Sequence, residues 1–106
     1  MKAVVLNGVR SAALADRPEP VLERPDDVLL RTAVAGLCGS DLHYFLTDNV
    51  AGERISYPCV TGHECSAVVE AVGPAVSRIT PGDRVVIEPS ISCGACDQCR
   101  AGRFNT

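Results

Sequence analysis

The stretch CSAVVEAVGPAVSRITPGDRVVIE, residues 65–88, decides the fold class. It begins with Cys65–Val72, a valine-rich segment whose β-branched residues favour a strand. Gly73 and Pro74 end that segment, and Pro81-Gly82 marks a turn. A second valine-rich segment, residues 84–88, follows the turn. The pattern predicts two short strands separated by turns.

The residues before this stretch are also divided into short pieces. Residues 2–7 form an apolar run that predicts a strand, and residues 27–35 predict another, with Leu30, Thr32 and Val34 on one face. Gly39–Thr47 is predicted to be a short helix capped by Ser40. The remaining pieces are an extended proline-rich segment, residues 17–27, and a polar loop, residues 48–58. The chain is therefore predicted to be mainly β, forming a small barrel or sandwich.

Length and charge exclude several classes of protein. The chain has 106 residues, with 10 Lys or Arg against 13 Asp or Glu and a net charge of −3. This length fits one domain at most. Nucleic acid and anionic membrane surfaces are excluded as main partners, because both require clustered basic residues. A hydrophobic content of 46% excludes intrinsic disorder. The early apolar run, residues 3–6, is too short for a signal peptide or membrane helix, so we expect a cytoplasmic protein.

Six cysteines are a high number for a chain of this length. Because the cytosol keeps thiols reduced, a disulfide framework is disfavoured. Cys93, Cys96 and Cys99 recur at intervals of three, which is typical of metal ligands. Residues 92–106 show no hydrophobic periodicity, so they are predicted to form an irregular, cysteine-rich metal loop.

Two further motifs carry polar chemistry, namely Cys38-Gly-Ser-Asp-Leu-His43 and Gly62-His63-Glu64. Taken singly, each has an ordinary structural explanation. A lone cysteine is usually a small buried hydrophobe, and a lone His or Glu before a strand is usually a surface residue. The argument for a site therefore depends on the joint occurrence of these motifs with the cysteine cluster.

Together the three motifs resemble the zinc-dependent medium-chain dehydrogenases, the alcohol and polyol dehydrogenase family, over nearly the whole chain. The resemblance implies that residues 1–106 are an incomplete N-terminal catalytic domain with a GroES-like, partly open barrel and one short helix. The family's nucleotide-binding domain is absent, since no G-x-G-x-x-G fingerprint follows a strand in this sequence. The stretch from Cys38 to Tyr44 is more similar to the polyol branch, which includes sorbitol, iditol, xylitol and idonate dehydrogenases.

The resemblance implies a catalytic zinc ion and a nicotinamide cofactor, NAD or NADP. Cys38 and His63 would be zinc ligands, and Glu64 would be a ligand or a neighbouring group that exchanges onto the metal. Zinc would act as a Lewis acid that stabilises the alkoxide from which hydride leaves. The family's remaining ligand lies beyond residue 106.

The resemblance also implies a structural zinc ion held by Cys93, Cys96 and Cys99. The family's fourth cysteine falls just past the last residue of this sequence. We therefore expect this loop to be poorly metallated or loosely ordered, while the barrel persists on its apolar core.

The helix carries further candidate residues. Ser40 and His43 are three residues apart and share a helix face, and the resemblance implies that they relay a proton. Alternatively, Ser40 caps the helix, which is compatible with the relay, and His43 is an exposed side chain while zinc-bound water takes the proton, as the polyol branch implies. Asp41 either fixes the tautomer of His63 by accepting a hydrogen bond or favours the helix dipole. Tyr44 either lines the substrate pocket or belongs to the core.

Three residues fall outside the family pattern. Ala67 stands where the family usually has glycine, and we expect its small methyl group to be tolerated. Cys59 has no family role. Cys65 lies close to the proposed site, where it is a pocket wall or an adventitious ligand.

The sequence thus predicts the catalytic domain of an oxidoreductase that transfers hydride between a secondary alcohol or polyol and a nicotinamide cofactor. The full-length enzyme is expected to be a homo-oligomer that acts on a small-molecule substrate, and residues 1–106 alone are expected to be inactive. One alternative is an iron–sulfur protein, although residues 100–103 lack the fourth Cys-Pro of a ferredoxin run. The other is a non-enzymatic GroES-like metal-binding module, which would not need Ser40, His43 and the zinc ligands together.

Overall fold

The computed structural model describes residues 1–50 and 52–104. Most of its regular structure consists of strands. In chain order the elements are β1 Lys2–Gly8, β2 Ser11–Asp16, β3 Val28–Ala35, α1 Gly39–Thr47, β4 Asn49–Val50, β5 Glu53–Arg54, β6 Cys65–Val72, β7 Arg84–Val86 and α2 Asp97–Arg100. The helix α2 is a single turn within the cysteine-rich loop, where no helix was predicted. The prediction of a mainly β chain with one short helix is confirmed.

The strands form three antiparallel sheets rather than one closed barrel within the described part of the chain. The strands β1 and β2 pair with each other, as do β4 and β5, and the third sheet has the order β3-β6-β7. An isolated bridge between Leu6 and Cys59 connects β1 to the segment before β6. The partly open architecture predicted from the sequence is therefore confirmed.

The central strand β6 organises the largest sheet because it has a partner on both sides. It pairs with β3 from Val28↔Val72 to Ala35↔Cys65, and Ser66–Val68 pair with β7. Ala67 and Val69 are 3% and 2% exposed, so alternate residues of β6 enter the small core. The methyl group of Ala67 is thus accommodated as a core side chain.

Several local predictions differ from the structure. The strand β2 was not predicted, and the polar loop at residues 48–58 contains the short β4–β5 pair. β7 ends at Val86, although the Ile87 amide still donates to the Cys65 carbonyl at 3.2 Å. A register irregularity between Thr32 and Val34 interrupts the alternation expected along β3.

The prediction that Ser40 caps α1 is wrong. The N-cap residue is Cys38, whose backbone has an extended conformation with φ −79° and ψ 156°. The Cys38 amide donates to Asp41 Oδ2 at 3.0 Å, so a carboxylate from the first turn satisfies the amide of the capping residue. Ser40 lies inside the helix, where its hydroxyl is not needed for the cap.

Neither helix of the described residues is long and apolar enough to span a membrane.

Candidate metal centres

The pairing of β3 with β6 brings two of the sequence motifs together. The ladder ends at the pair Ala35↔Cys65, and beyond it the Gly36 amide donates to the Glu64 carbonyl at 2.6 Å. Cys38 follows β3, whereas His63 and Glu64 precede β6. Antiparallel neighbours place the end of one strand beside the start of the other. Residues far apart in sequence therefore meet at this end of the β3–β6 ladder.

One ligand atom from each of Cys38, His63 and Glu64 lies within 4.8 Å of the other two. Cys38 and His63 are half-buried, and Glu64 is exposed. Thiolate, imidazole and carboxylate are all zinc ligands, and three protein ligands leave the open position that a catalytic zinc site requires. The donor set fits zinc, and we call this group the Cys38 site.

Asp41 provides an independent test of whether the Cys38 site fits a metal ion. Its side chain is only 5% exposed, and its Oδ2 accepts the amide hydrogen of Cys38. Its Oδ1 is buried without a hydrogen-bond partner among the described residues and lies 3.9 Å from His63 Nδ1. A carboxylate facing Nδ1 favours the tautomer that leaves Nε2 free for a metal. At 3.9 Å the two atoms are not hydrogen-bonded, so the tautomer-fixing role of Asp41 stays a prediction.

Ser40 and His43 both lie on α1, directly after Cys38. Ser40 is half-buried and His43 is exposed. Among residues 1–50 and 52–104, no hydrogen bond joins the Ser40 hydroxyl to the His43 ring. Their relay role stays a prediction. The neighbouring Tyr44 is half-buried, and its carbonyl accepts a hydrogen bond from the Tyr57 hydroxyl at 2.7 Å.

An open cavity of about 600 Å³ adjoins the Cys38 site. His63 and Glu64 line it on the side of the site, and apolar walls come from Val34 and Ile87. Cys65 also lines this cavity, as expected for the pocket-wall alternative. The arrangement places an accessible apolar space next to two of the candidate ligands.

The second candidate centre consists of Cys93, Cys96 and Cys99. The Cys99 sulfur lies 3.8 Å from that of Cys93 and 3.5 Å from that of Cys96. Tetrahedral zinc with Zn–S bonds of about 2.3 Å would separate its sulfur ligands by about 3.8 Å. The three thiols are therefore already spaced as ligands of one metal ion, and we call them the cysteine cluster.

Backbone amides stabilise a thiolate in this cluster. Amide hydrogens of Ala95 and then Cys96, followed by the thiols of Cys96 and Cys99, lower the pKa of Cys93 to about 7. The Cys96 amide donates to the Cys93 sulfur at 3.4 Å. Since the thiolate is the form that binds metal, this backbone conformation prepares Cys93 as a ligand.

One residue of the Cys38 site was missed by the sequence analysis. A β-carbon placed on Gly36 would lie 2.7 Å from Glu64 Oε2, so this glycine is in direct contact with a candidate ligand. Gly36 opens the motif that contains Cys38, but the local sequence does not show that it contacts Glu64.

Residues 24–106 match the alcohol dehydrogenase GroES-like domain family, and the chain belongs to that family. It is 42% identical over 101 residues to D-xylulose reductase A from Aspergillus niger, covering 95% of this chain and 28% of that protein. It is 38% identical over 105 residues to sorbitol dehydrogenase from Bacillus subtilis, covering 99% of this chain and 30% of that protein. Among solved structures, the alcohol dehydrogenase TADH from Thermus sp. ATN1 superposes with a TM-score of 0.81 at 40% identity, covering 99% of this chain and 29% of that one. The chain thus spans less than a third of the length of these relatives.

Proposed function

We propose that the whole protein is a zinc-dependent oxidoreductase that transfers hydride between a secondary alcohol or polyol and NAD or NADP. Residues 1–106 would form part of its N-terminal catalytic domain. The observation that carries the proposal is the convergence of Cys38, His63 and Glu64 at one end of the β3–β6 ladder. Similarity to a xylulose reductase and a sorbitol dehydrogenase favours a polyol substrate.

Cys38, His63 and Glu64 would hold the catalytic zinc, with Glu64 able to leave the metal because its side chain is exposed. When bound, zinc supplies Lewis-acid chemistry that lowers the pKa of the substrate hydroxyl. Asp41 orients His63 through Nδ1, and the apolar wall of the adjoining cavity receives the carbon chain of the substrate.

Ser40 and His43 would carry the proton away from the substrate. Their spacing places both side chains on one side of α1, which begins next to the ligand Cys38. Ser40 would accept the hydroxyl proton of the substrate while it donates its own proton to the His43 ring, and His43 would release a proton to solvent, to which the ring is exposed.

The cysteine cluster would hold a structural zinc ion. Its sulfur spacing and the low pKa of Cys93 support metal binding at neutral pH. Colour distinguishes zinc from the iron–sulfur alternative, because zinc proteins have no visible absorbance and iron–sulfur clusters do.

The same proposal extends to the exposed apolar surface, the partners, the location and the oligomeric state of the protein. The apolar side chains around the cavity include Val34 and Val86, which are 65% and 79% exposed, and further residues of the catalytic domain would cover them. The net charge of −3 supports small-molecule partners rather than nucleic acid or membrane surfaces. The protein is proposed to be cytoplasmic and homo-oligomeric.

The test is substitution of the proposed ligands in the whole protein. Cys38→Ala and His63→Ala should each abolish turnover of sorbitol or xylitol and release one zinc ion per chain, because each removes one of the few ligands of an open site. His43→Ala should lower turnover by about 100-fold or less, since it only relays a proton. Zinc content is measured by atomic absorption, and turnover by NADH formation.

Cys59→Ala is the matched control, since Cys59 is also half-buried but lies in neither metal centre. It should keep both zinc and activity. Full zinc content and normal turnover in Cys38→Ala or His63→Ala would show that the catalytic metal site lies elsewhere.

A further inference from the structure

Gly36 and Glu64 approach each other so closely that a side chain on residue 36 would force the glutamate side chain to shift. A β-carbon at position 36 would lie 2.7 Å from Glu64 Oε2 and 3.0 Å from the Glu64 β-carbon. Both distances are shorter than ordinary van der Waals contact, so the glutamate side chain rests directly on the glycine backbone.

The backbone cannot relieve this crowding easily. The Gly36 amide donates to the Glu64 carbonyl at 2.6 Å, immediately after the last pair of the β3–β6 ladder. Both residues also connect directly to the Cys38 site, since Cys38 follows Gly36 by two positions and His63 precedes Glu64. A shift of the backbone here would displace the other ligands as well.

The glutamate side chain, by contrast, can move. Glu64 is exposed, and its carboxylate is at the end of a flexible chain. A methyl group at position 36 would therefore rotate the carboxylate away from its present position. The tight contact with the Glu64 β-carbon at 3.0 Å would require a further shift of only a few tenths of an ångström. The present position of the carboxylate is within 4.8 Å of the ligand atoms of Cys38 and His63.

From this geometry we infer that Gly36 is a positioning residue that places the Glu64 carboxylate in the metal site. The inference rests on the proposed function of the Cys38 site. It assigns to Gly36 a role in metal affinity that is separate from any role in stability. Gly36→Ala should therefore weaken metal binding, while the thermal unfolding midpoint stays close to that of the wild type.

The experiment measures Co²⁺ binding by its visible absorption. A background with Cys93→Ser, Cys96→Ser and Cys99→Ser removes the cysteine cluster, so that Co²⁺ reports on the Cys38 site. Gly36→Ala should weaken Co²⁺ binding about 10- to 100-fold, as is typical when a group supporting a metal ligand is lost. The matched control is Gly39→Ala. A β-carbon on Gly39, which is next to Cys38, meets no atom within 4 Å, so Co²⁺ affinity should be unchanged.

A double-mutant cycle identifies the cause of the loss. Glu64→Ala removes the carboxylate, so adding Gly36→Ala to it should change Co²⁺ affinity only slightly. If Gly36→Ala lowers Co²⁺ affinity equally in the proteins with Glu64 and with Glu64→Ala, the inference is overturned. Wild-type Co²⁺ affinity in Gly36→Ala would also overturn it. Unfolding of both Gly36→Ala and the double variant would also overturn it, because the crowding would then not involve the carboxylate.

Failure of the proposed function has a different signature. If the background protein with intact Cys38, His63 and Glu64 binds no Co²⁺, the Cys38 site is not a metal site and both proposals fall. If it binds Co²⁺ and Gly36→Ala binds equally well, only the inference about Gly36 fails.

Discussion

Asp41 is a buried carboxylate with one oxygen satisfied by the helix cap and the other without a hydrogen bond among the described residues. Its carboxylate is 5% exposed, and burial of a charged group is costly unless its oxygens are paired. The Cys38 amide satisfies Oδ2, whereas Oδ1 faces His63 Nδ1 without a hydrogen bond. Capping of α1 explains the first contact, and the second would be explained if His63 binds the proposed metal ion and Asp41 orients its ring.

Asp41→Asn should weaken metal binding at the Cys38 site by about 10- to 100-fold. If the asparagine oxygen still accepts from the Cys38 amide, its NH₂ group faces His63 Nδ1 and disfavours the tautomer with hydrogen on that nitrogen. Zinc affinity is measured by competition with a chelator. Unchanged affinity together with a lower unfolding midpoint would mean that Asp41 acts only through the helix.

Cys93 should react at lower pH than an ordinary thiol in the metal-free protein. Because amide hydrogens of Ala95 and Cys96 lower its pKa to about 7, a larger fraction of its thiol is ionised at neutral pH than in an ordinary cysteine. Its alkylation rate by iodoacetamide should rise with a midpoint near that pH, below the usual thiol value of about 8.5. Mass spectrometry of the labelled peptide follows the rate at each pH.

The urea-unfolded chain is the control for Cys93, and its profile should return to that of an ordinary thiol. Added Zn²⁺ should suppress alkylation of the folded protein. A folded-state midpoint near 8.5 would contradict the hydrogen-bonded thiolate.

At the level of secondary structure, elements with strong local signals were predictable. The valines of β6 and the turn residues after it favour a strand in isolation, and that strand is found within its predicted bounds. The strand β2 was missed because its sequence, SAALAD, contains three alanines and no β-branched residue. It forms because β1 offers a paired edge along almost its whole length, which is information from tertiary structure.

The candidate site also combines features that local sequence predicts with features that depend on tertiary structure. Cys38, His63 and Glu64 could be named from their motifs, but their proximity depends on the register of β3 against β6. Gly36 belongs to the motif around Cys38, but its role depends on a contact across that register, which local sequence does not show. Ser40 was assigned to the cap from residue type alone, whereas Asp41 provides the side-chain contact to the capping residue.

Gly73→Ala, directly after β6, should lower the free energy of unfolding by about 1–3 kcal/mol, the usual cost of overpacking. A β-carbon on Gly73 would overlap the Pro25 carbonyl and lie 2.9 Å from the Arg24 carbonyl oxygen. Both carbonyls are held in place by hydrogen bonds, since the Pro25 carbonyl accepts from the Ala75 amide at 2.8 Å and the Arg24 carbonyl accepts from the Asp27 amide at 3.2 Å. Urea unfolding followed by circular dichroism measures the free energy of unfolding.

Gly8→Ala is the control for Gly73, because a β-carbon there meets no atom within 4 Å and Gly8 does not have a positive φ. Its free energy of unfolding should stay close to that of the wild type. Equal stability of the Gly73 and Gly8 variants would mean that the Pro25 segment moves aside freely.

At the level of the whole molecule, we expect residues 1–106 to bind metal without catalysing the reaction. Residues 1–106 hold both candidate metal centres but contain no dinucleotide fingerprint, and they span less than a third of related dehydrogenases. A polypeptide of these residues should therefore bind Co²⁺ at the Cys38 site yet form no NADH from sorbitol or xylitol. Without a surface that holds the nicotinamide near the metal, the reaction loses the advantage of proximity, roughly 7–11 kcal/mol of the barrier. The whole protein, assayed at equal zinc content, is the control. NADH formation by residues 1–106 at a comparable rate would show that the cofactor binds within this domain and would refute the proposed division of labour.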